Sequence, residues 1–441
     1  MPIQHDLVIR NGTVIDGTGA PPFTADVAIS GGRITAIGVV AGTGAEEIDA
    51  TGKIVTPGFV DIHTHYDGQA VWDSHLAPSA WHGVTTVVMG NCGVGFAPCK
   101  PADRLKLVAL MEGVEDIPGP VLHEGLDWQW ESFPEYLDAL DKKQRDVDVC
   151  ALVPHAAVRV FVMGDRAIAL ENANQGDIAQ MRSIVAEAIR AGAFGVSTSR
   201  STSHKTLAGD PTPTLRALEE ELTGLGMGMK DAGGGMMEVV SEWYNPDPEV
   251  EFALLRRVAE TSGRPMVFSL SQRNTQPSAW KDLLGYADKA NAEGVSMRPV
   301  VAPRAIGMLL GLEGSQHPFT GCKSYREIAD LPLAERVRAM RDPDFRARIL
   351  AEDPKEFSTF PLFHRMSYAQ MFRFGHPPNY EPREDESIAA IGPQVPSSGS
   401  AAHGKPFAEI FEKHFAIRIS GGILIIYRAV FDDHCPAAVV Q

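Results

Sequence analysis

The chain has 441 residues, a formal net charge of −16 and 44% hydrophobic residues. That length suits one barrel-sized domain with a smaller appendage, and the apolar content is that of a globular protein with a buried core. The acidic balance argues against nucleic acid or an anionic membrane as a partner, because no basic field offsets it.

The five cysteines are few and scattered, which is typical of a reducing compartment rather than of a disulfide framework. The first residues show no basic stretch followed by an apolar run, and no apolar run reaches the ~20 residues that cross a bilayer. We therefore expect a cytoplasmic protein with no membrane partner. Nothing in the sequence indicates an oligomeric state.

Residues 1–57 are expected to form a small β domain. Short alternating stretches, such as residues 6–10 and 33–37, are separated by turn signals. Asn11-Gly12 is a strong hairpin dipeptide.

After Pro57-Gly58 the pattern changes to short apolar runs that alternate with amphipathic stretches of helix length. Apolar strands between helices indicate a parallel sheet that is covered on both faces. Seven such units favour a (β/α)8 barrel over an open sheet, although an eighth strand is not evident. This barrel domain is expected over residues 58–377. Its strands are predicted at 59–63, 85–89, 149–153, 194–197, 236–240, 265–270 and 297–301.

The sharpest chemical feature is His63-Thr64-His65, at the end of the first barrel strand. Alternation along an extended chain places His63 and His65 on the same face. Barrel enzymes build their sites at the carboxyl ends of the strands. Two imidazoles there are suitable ligands for Zn²⁺ or a similar divalent ion. The alternative is a pair of polar residues that merely end a strand, and it agrees less well with the spacing and position.

The chain resembles the amidohydrolase superfamily and, more closely, its N-acyl-D-amino-acid deacylase (D-aminoacylase) family. The matching segments are residues 6–17, Gly31-Gly32-Arg33-Ile34, residues 51–67 and residues 81–93, and the resemblance extends to about residue 375. It implies a (β/α)8 barrel beside a small β-sandwich. It also implies a zinc-dependent hydrolase that cleaves the linear C–N amide bond of a small-molecule substrate, an N-acyl-D-amino acid.

Further site residues come after the second, third and fourth strands. Cys92 is a reasonable thiolate ligand, and the resemblance implies that role, with a small buried cysteine as the alternative. His155 resembles a family position that lines the site, so it is a candidate for substrate binding, and a structural histidine is equally compatible. In the polar loop after the fourth strand, Arg200, His204 and Lys205 are candidates for substrate binding. Arg200 or Lys205 could pair with a substrate carboxylate, and His204 is also a spare candidate metal ligand. Each of these three also fits a loop surface.

Two departures from the family pattern bear on activity. In the family, strands five and six each supply a histidine to the metals, whereas the matching strands here have none, and Glu238 or Glu242 could stand in. A first zinc ion is therefore better supported than a second. The family's strand-eight aspartate, which is a metal ligand and the general base, has no matching motif here. Asp432-Asp433-His434 has unmatched flanks, so the catalytic residues stay unassigned.

Residues 378–441 are expected to form a loop and an atypical tail, as in a truncated product. Three other functions stay open. One is a catalytically inactive, truncated relic of an amidohydrolase. Another is a cyclic-amide hydrolase of the hydantoinase type, which typically uses a carbamylated lysine at strand four, where residues 194–199 have none. A plain binding or structural protein is the third, and the clustered histidines argue against it.

Overall fold

The computed structural model describes the chain in ten stretches, and its strands form three sheets. The described residues are 4–243, 247–272, 276, 278–302, 307–312, 317–352, 368–373, 379, 381–391 and 425–428.

The N-terminal segment forms one five-stranded sheet in the order β3-β2-β1-β4, with β5 also paired to β1. Asn11-Gly12 does not make the expected hairpin turn. It interrupts β1 as a bulge, with a register shift against β2 and Asn11 at a φ of 59°. The strands are β1 (Gln4–Val14), β2 (Phe23–Ser30), β3 (Arg33–Gly38), β4 (Thr43–Asp49) and β5 (Ile54–Val55).

The second sheet has seven parallel strands that are arranged in chain order without interruption, from β6 at one edge to β12 at the other. All seven strands lie within two residues of their predicted positions. This sheet accounts for seven strands of an eight-stranded barrel within the described residues. The strands are β6 (Phe59–Asp61), β7 (Val84–Met89), β8 (Asp148–Pro154), β9 (Gly195–Ser199), β10 (Met236–Val240), β11 (Met266–Ser269) and β12 (Met297–Val300).

Helices connect these strands and cover the sheet, which gives the predicted α/β architecture. The largest buried apolar cluster joins strand side chains such as Val196 to helix side chains such as Leu225. The helices of this region are α1 (Gln69–Trp72), α2 (Arg104–Glu115), α3 (Gly119–Gly125), α4 (Phe133–Asp141), α5 (His155–Met163), α6 (Asp165–Ile168), α7 (Gln175–Ala191), α8 (Glu219–Ala232), α9 (Pro248–Ser262) and α10 (Ala279–Ala292).

The third sheet is small and antiparallel. A second apolar cluster lies within residues 312–350. The central strand of the third sheet is β15 (Ile425–Arg428), which pairs with β13 (Gly307–Leu310) and β14 (Met371–Arg373). The predicted division into domains at residues 57 and 377 stays a prediction, and Asp432-Asp433-His434 lies outside the described residues. The remaining helices are α11 (Lys323–Arg326), α12 (Leu333–Arg341), α13 (Pro343–Ala351) and α14 (Ile388–Ile391).

Helix length and hydropathy leave no membrane-spanning candidate among the helices of the described residues.

Candidate metal centre

His63 and His65 lie in the segment directly after β6, which ends at Asp61. Thr64 fixes this segment, because its backbone N–H and its hydroxyl both donate to the carbonyl of Val88, at 3.0 and 2.8 Å. The buried Thr64 thus points toward β7, and the two flanking imidazoles lie together with their ring centroids 5.4 Å apart. The two histidines therefore lie on one face of this segment, as the sequence predicts.

Cys92 reaches the histidines from a tight turn after β7. Its φ is 57°, a left-handed conformation that a residue with a side chain rarely adopts. The turn is fixed by two hydrogen bonds: the Cys92 N–H donates to Glu238 Oε2 at 3.0 Å, and the Gly93 N–H donates to Ser197 Oγ at 2.9 Å. Backbone strain that is held by neighbouring strands is typical of functional sites.

The three predicted ligands converge. Cys92 Sγ lies 3.3 Å from His63 Nε2 and 3.6 Å from His65 Nε2, and the three ligand atoms all lie within 4.8 Å of one another. Tetrahedral zinc with Zn–N bonds of about 2.0 Å and Zn–S bonds of about 2.3 Å requires nitrogen–sulfur separations of about 3.5 Å. The donor set and its spacing therefore fit a zinc-like divalent ion.

The protonation states of the two histidines agree with that fit, whereas the thiol of Cys92 requires a bound cation to ionise. Burial lowers the pKa of His63, and it lowers the pKa of His65 well below its ordinary value, so both imidazoles are neutral near pH 7. Burial, together with the charges of Glu115 and Glu238, raises the pKa of the Cys92 thiol. A bound cation acts in the opposite direction, because it deprotonates a coordinating thiol.

Two buried carboxyl groups, of Asp67 and Glu238, and the largely buried carboxyl group of Glu115 lie near this cluster. Burial raises the pKa of Glu115 and of Glu238 to about 8, and that of Asp67 to about 7. Glu238 Oε1 and His65 Nδ1 are buried atoms without a hydrogen-bond partner in the described structure. Buried acids of this kind are costly unless a positive charge compensates them, which is a second indication of a cation site.

The sequence prediction identified one of these acids and missed two. Glu238 on β10 is next to the cluster, whereas its rival Glu242 accepts hydrogen bonds from Thr202. Asp67 stands two residues after His65, which is a signal that could have been used. Glu115 offers no such signal, because an acid at the end of a surface helix is common.

His155 does not lie with the metal ligands. It is fully buried, and its ring nitrogens lie 2.8 Å from Thr198 Oγ1 and 2.9 Å from Glu221 Oε1. Thr198 points to the opposite face of β9 from Ser197 and Ser199, which contact the site. The substrate role predicted for His155 is therefore without support, because protein atoms already occupy both ring nitrogens.

The three candidates in the loop after β9 lie in different surroundings. Arg200 forms a bidentate pair with Glu251 on α9, at 2.5 and 3.2 Å, and donates to the Ala217 carbonyl, so its guanidinium is committed within the protein. His204 lies near the cluster, where burial and the charge of His63 lower its pKa to about 4. Lys205 is half-buried, and burial lowers its pKa. Substrate contacts by His204 and Lys205 stay predictions.

The turn that presents Cys92 provides a testable constraint at Gly90. Gly90 has a φ of 81°, and a Cβ there would lie 2.2 Å from the Leu152 carbonyl oxygen. Gly90→Ala is expected to lower the free energy of unfolding by well over about 1 kcal/mol, because strain and a backbone clash combine. Gly31→Ala is the matched control, since Gly31 has a φ of 59° in open space. Urea denaturation would compare the two, and equal losses would contradict the predicted clash.

Comparison with known proteins identifies the family of this chain. A model described as the amidohydrolase family matches residues 46–408. The chain is 39% identical over 198 residues to an N-acyl-D-aspartate deacylase of Alcaligenes xylosoxydans xylosoxydans, which is 45% of this chain and 37% of the deacylase. A D-aminoacylase of the same organism is 38% identical over 194 residues, again 37% of that protein. The chain thus spans well under half of the length of these curated relatives.

Two solved structures are also similar. An N-acyl-D-glutamate deacylase from Bordetella bronchiseptica, complexed with zinc and a phosphonate inhibitor, has a TM-score of 0.57 at 28% identity, over 72% of this chain and 62% of that one. A D-aminoacylase structure has a TM-score of 0.58 at 26% identity, over 78% and 69%. Because the family model matches most of its length, this chain belongs to the amidohydrolase family, and within that family it is similar to the D-aminoacylases.

Proposed function

We propose that this chain is a zinc-dependent hydrolase of N-acyl-D-amino acids, which releases a carboxylic acid and a free D-amino acid. The observation that carries the proposal is the convergence of His63, His65 and Cys92 at the carboxyl ends of β6 and β7. The similar deacylases support the substrate class, and the zinc in the solved deacylase supports the choice of metal.

His63, His65 and Cys92 would hold the metal, which supplies Lewis acidity toward the amide carbonyl and lowers the pKa of a bound water. Glu238 is the carboxyl group best placed to support the ligands, because it fixes the Cys92 turn and keeps Oε1 beside His63 Nδ1 at 3.9 Å. Burial raises the pKa of Glu238 to about 8 before a cation binds, and a bound cation would lower it, so the loaded site would favour the ionised carboxylate. His204 stays neutral close to neutral pH, so it can offer a hydrogen bond but no charge.

One set of assays distinguishes the proposed deacylase from an inactive relic. The purified chain would be stripped with a chelator, reloaded with Zn²⁺, and tested for release of free amine from N-acetyl-D- and N-acetyl-L-aspartate, glutamate and leucine. We expect about one zinc per chain and hydrolysis of D-substrates that depends on zinc. Zinc binding with no hydrolysis of any substrate would favour the inactive relic, and failure to bind zinc would overturn the proposal altogether.

The hydantoinase-type alternative has less support. β9 presents Ser197, Thr198 and Ser199 where a carbamylated lysine is expected, and all three side chains are engaged in hydrogen bonds within the protein. Conversion of a hydantoin to its N-carbamoyl amino acid by the zinc-loaded chain, followed by the loss of ring absorbance, would favour this alternative.

A further inference from the structure

Helix α2 brings an acid to the metal centre from outside the parallel sheet. The helix lies in the connection between β7 and β8, and Glu115 is its last residue. Glu115 Oε2 lies 3.3 Å from His65 Nε2, and the Glu115 side chain is 18% exposed. Any role of Glu115 toward a metal rests on the proposed metal function of His63, His65 and Cys92.

The position of α2 is closely constrained. Its buried face, which includes Leu107 and Met111, packs into the main apolar core. Gly113, in the last turn, lies against the loop after β9, where a Cβ would come within 2.3 Å of the Lys205 carbonyl oxygen. The same loop carries His204. The backbone before Glu115 is thus held against the loop that borders the site.

The electrostatic surroundings of Glu115 are unfavourable for an acid. The carboxyl end of a helix carries partial negative charge, so an acid is stabilised at the opposite end. Among the described residues, His65 is the one basic group found within 4.0 Å of the Glu115 carboxylate. A neutral imidazole does not compensate a buried charge, whereas a divalent cation between the two side chains does.

The two neighbouring acids face different nitrogens of the histidines, and this separates their roles. Glu115 faces His65 Nε2, the nitrogen that also lies 3.6 Å from Cys92 Sγ. Glu238 faces His63 Nδ1, whereas the nitrogen that faces Cys92 Sγ is His63 Nε2. Glu238 therefore lies behind its imidazole, as carboxylates that orient a metal-bound histidine do. Glu115 lies on the ligand side.

One of the distances around Glu115 agrees with direct coordination. Nitrogen and oxygen ligands at about 2.0–2.2 Å from tetrahedral zinc lie about 3.3–3.6 Å apart. The separation between Glu115 Oε2 and His65 Nε2 is 3.3 Å. The Glu115 oxygens do not belong to the group of ligand atoms that all lie within 4.8 Å of one another, so direct coordination requires the Glu115 side chain to rotate further toward Cys92 and His63. Three ligands come from the segments after β6 and β7, and zinc takes a fourth.

We propose that Glu115 is the fourth protein ligand of this metal, so that helix α2 completes a two-histidine, cysteine and glutamate site. Four protein ligands would fill a tetrahedral site. Helix α2 would then be a determinant of metal affinity and, through the Glu115 carboxylate, of access to the metal.

The test measures the zinc affinity of the full chain by competition with a chromogenic chelator, for the parent and for the variants Glu115→Gln, Glu115→Asp and Glu238→Gln. Loss of an outer-shell partner typically weakens metal binding about 10–100-fold. We expect that range for Glu238→Gln, a loss of more than about 100-fold for Glu115→Gln, and an intermediate loss for Glu115→Asp, which keeps the charge on a shorter side chain. Glu187→Gln, at an exposed position on α7, removes the same charge and should leave affinity unchanged.

A second measurement does not depend on affinity. Cobalt(II) in place of zinc gives a thiolate-to-metal charge-transfer band from Cys92 and ligand-field bands that report the other ligands. Glu115→Gln should keep the first and change the second, with a far-ultraviolet circular dichroism spectrum like that of the parent. If Glu115→Gln does not fold, Glu115→Asp carries both measurements.

Unchanged ligand-field bands, or a loss of affinity for Glu115→Gln of less than about 100-fold, the range of an outer-shell partner, would overturn the ligand role and leave the proposed function standing. A parent protein that binds neither zinc nor cobalt would overturn both.

Discussion

Exchange of both His63 and His65 for alanine is expected to remove zinc from the purified protein and to abolish any hydrolysis that depends on it. Two of the three converging ligand atoms disappear, and Cys92 cannot hold the ion against solvent, even with Glu115 beside it. A ligand at 1,000 times its dissociation constant stabilises the folded state by about 4.1 kcal/mol. Added zinc should therefore raise the melting temperature of the parent and leave that of the variant unchanged. Elemental analysis and thermal melting measure the two effects.

His123→Ala is the matched control for this exchange. His123 is an exposed histidine on α3, and its loss should change neither the zinc content nor the zinc-induced rise in melting temperature. Retention of stoichiometric zinc by the double variant would show that the ion binds elsewhere, and the candidate metal centre would then be wrong.

The second large effect is expected at Glu221, which does not belong to the candidate metal centre. Glu221 Oε1 accepts from Arg159 Nε at 2.7 Å and lies 2.9 Å from His155 Nε2, and all three side chains are at most 2% exposed. Glu221→Gln leaves a fully buried guanidinium without its counter-charge. Removal of one partner of a buried ion pair typically costs about 3–5 kcal/mol, so we expect a loss of that size in the free energy of unfolding.

Helix α8 offers a matched control two residues away. Glu219 pairs with Arg257 at 2.7 Å, and both side chains are exposed. Glu219→Gln should cost about 0–1 kcal/mol, because solvent screens that pair. Urea denaturation at pH 7 compares the two variants, and a loss at Glu221 no larger than that at Glu219 would contradict a structural role for the buried network.

The Glu221 carboxylate is also expected to make the free energy of unfolding depend on pH. Burial alone would raise the pKa of Glu221, but the hydrogen bond with His155 and the charge of Arg159 outweigh it and lower the pKa below 4.5. A folded-state pKa below the unfolded value means that the stabilisation is present above pH 4.5 and is lost as the pH falls through the folded pKa. The stability difference between the parent and Glu221→Gln should therefore shrink in acid, and a difference that grows below pH 4.5 would reverse the predicted sign.

The sequence by itself determined the seven parallel strands and the pairing of His63 with His65. Both result from local rules: apolar runs bounded by helices identify buried strands, and alternate residues of an extended segment share a face. Cys92 was also found, through its likeness to the family, and the structure places it 3.3 Å from His63.

The tertiary structure alone decided which polar residues join the metal centre. His155 and Arg200 come after barrel strands and were expected at the site, but Glu221 and Glu251, on helices far along the chain, bind them elsewhere. Glu238 and Glu115 come from a distant strand and from the end of a helix, and the contact between Cys92 and Glu238 spans 146 positions in the sequence. Strand periodicity fixes the face on which a side chain lies, but its partner is set by how distant elements pack, and no local pattern records that.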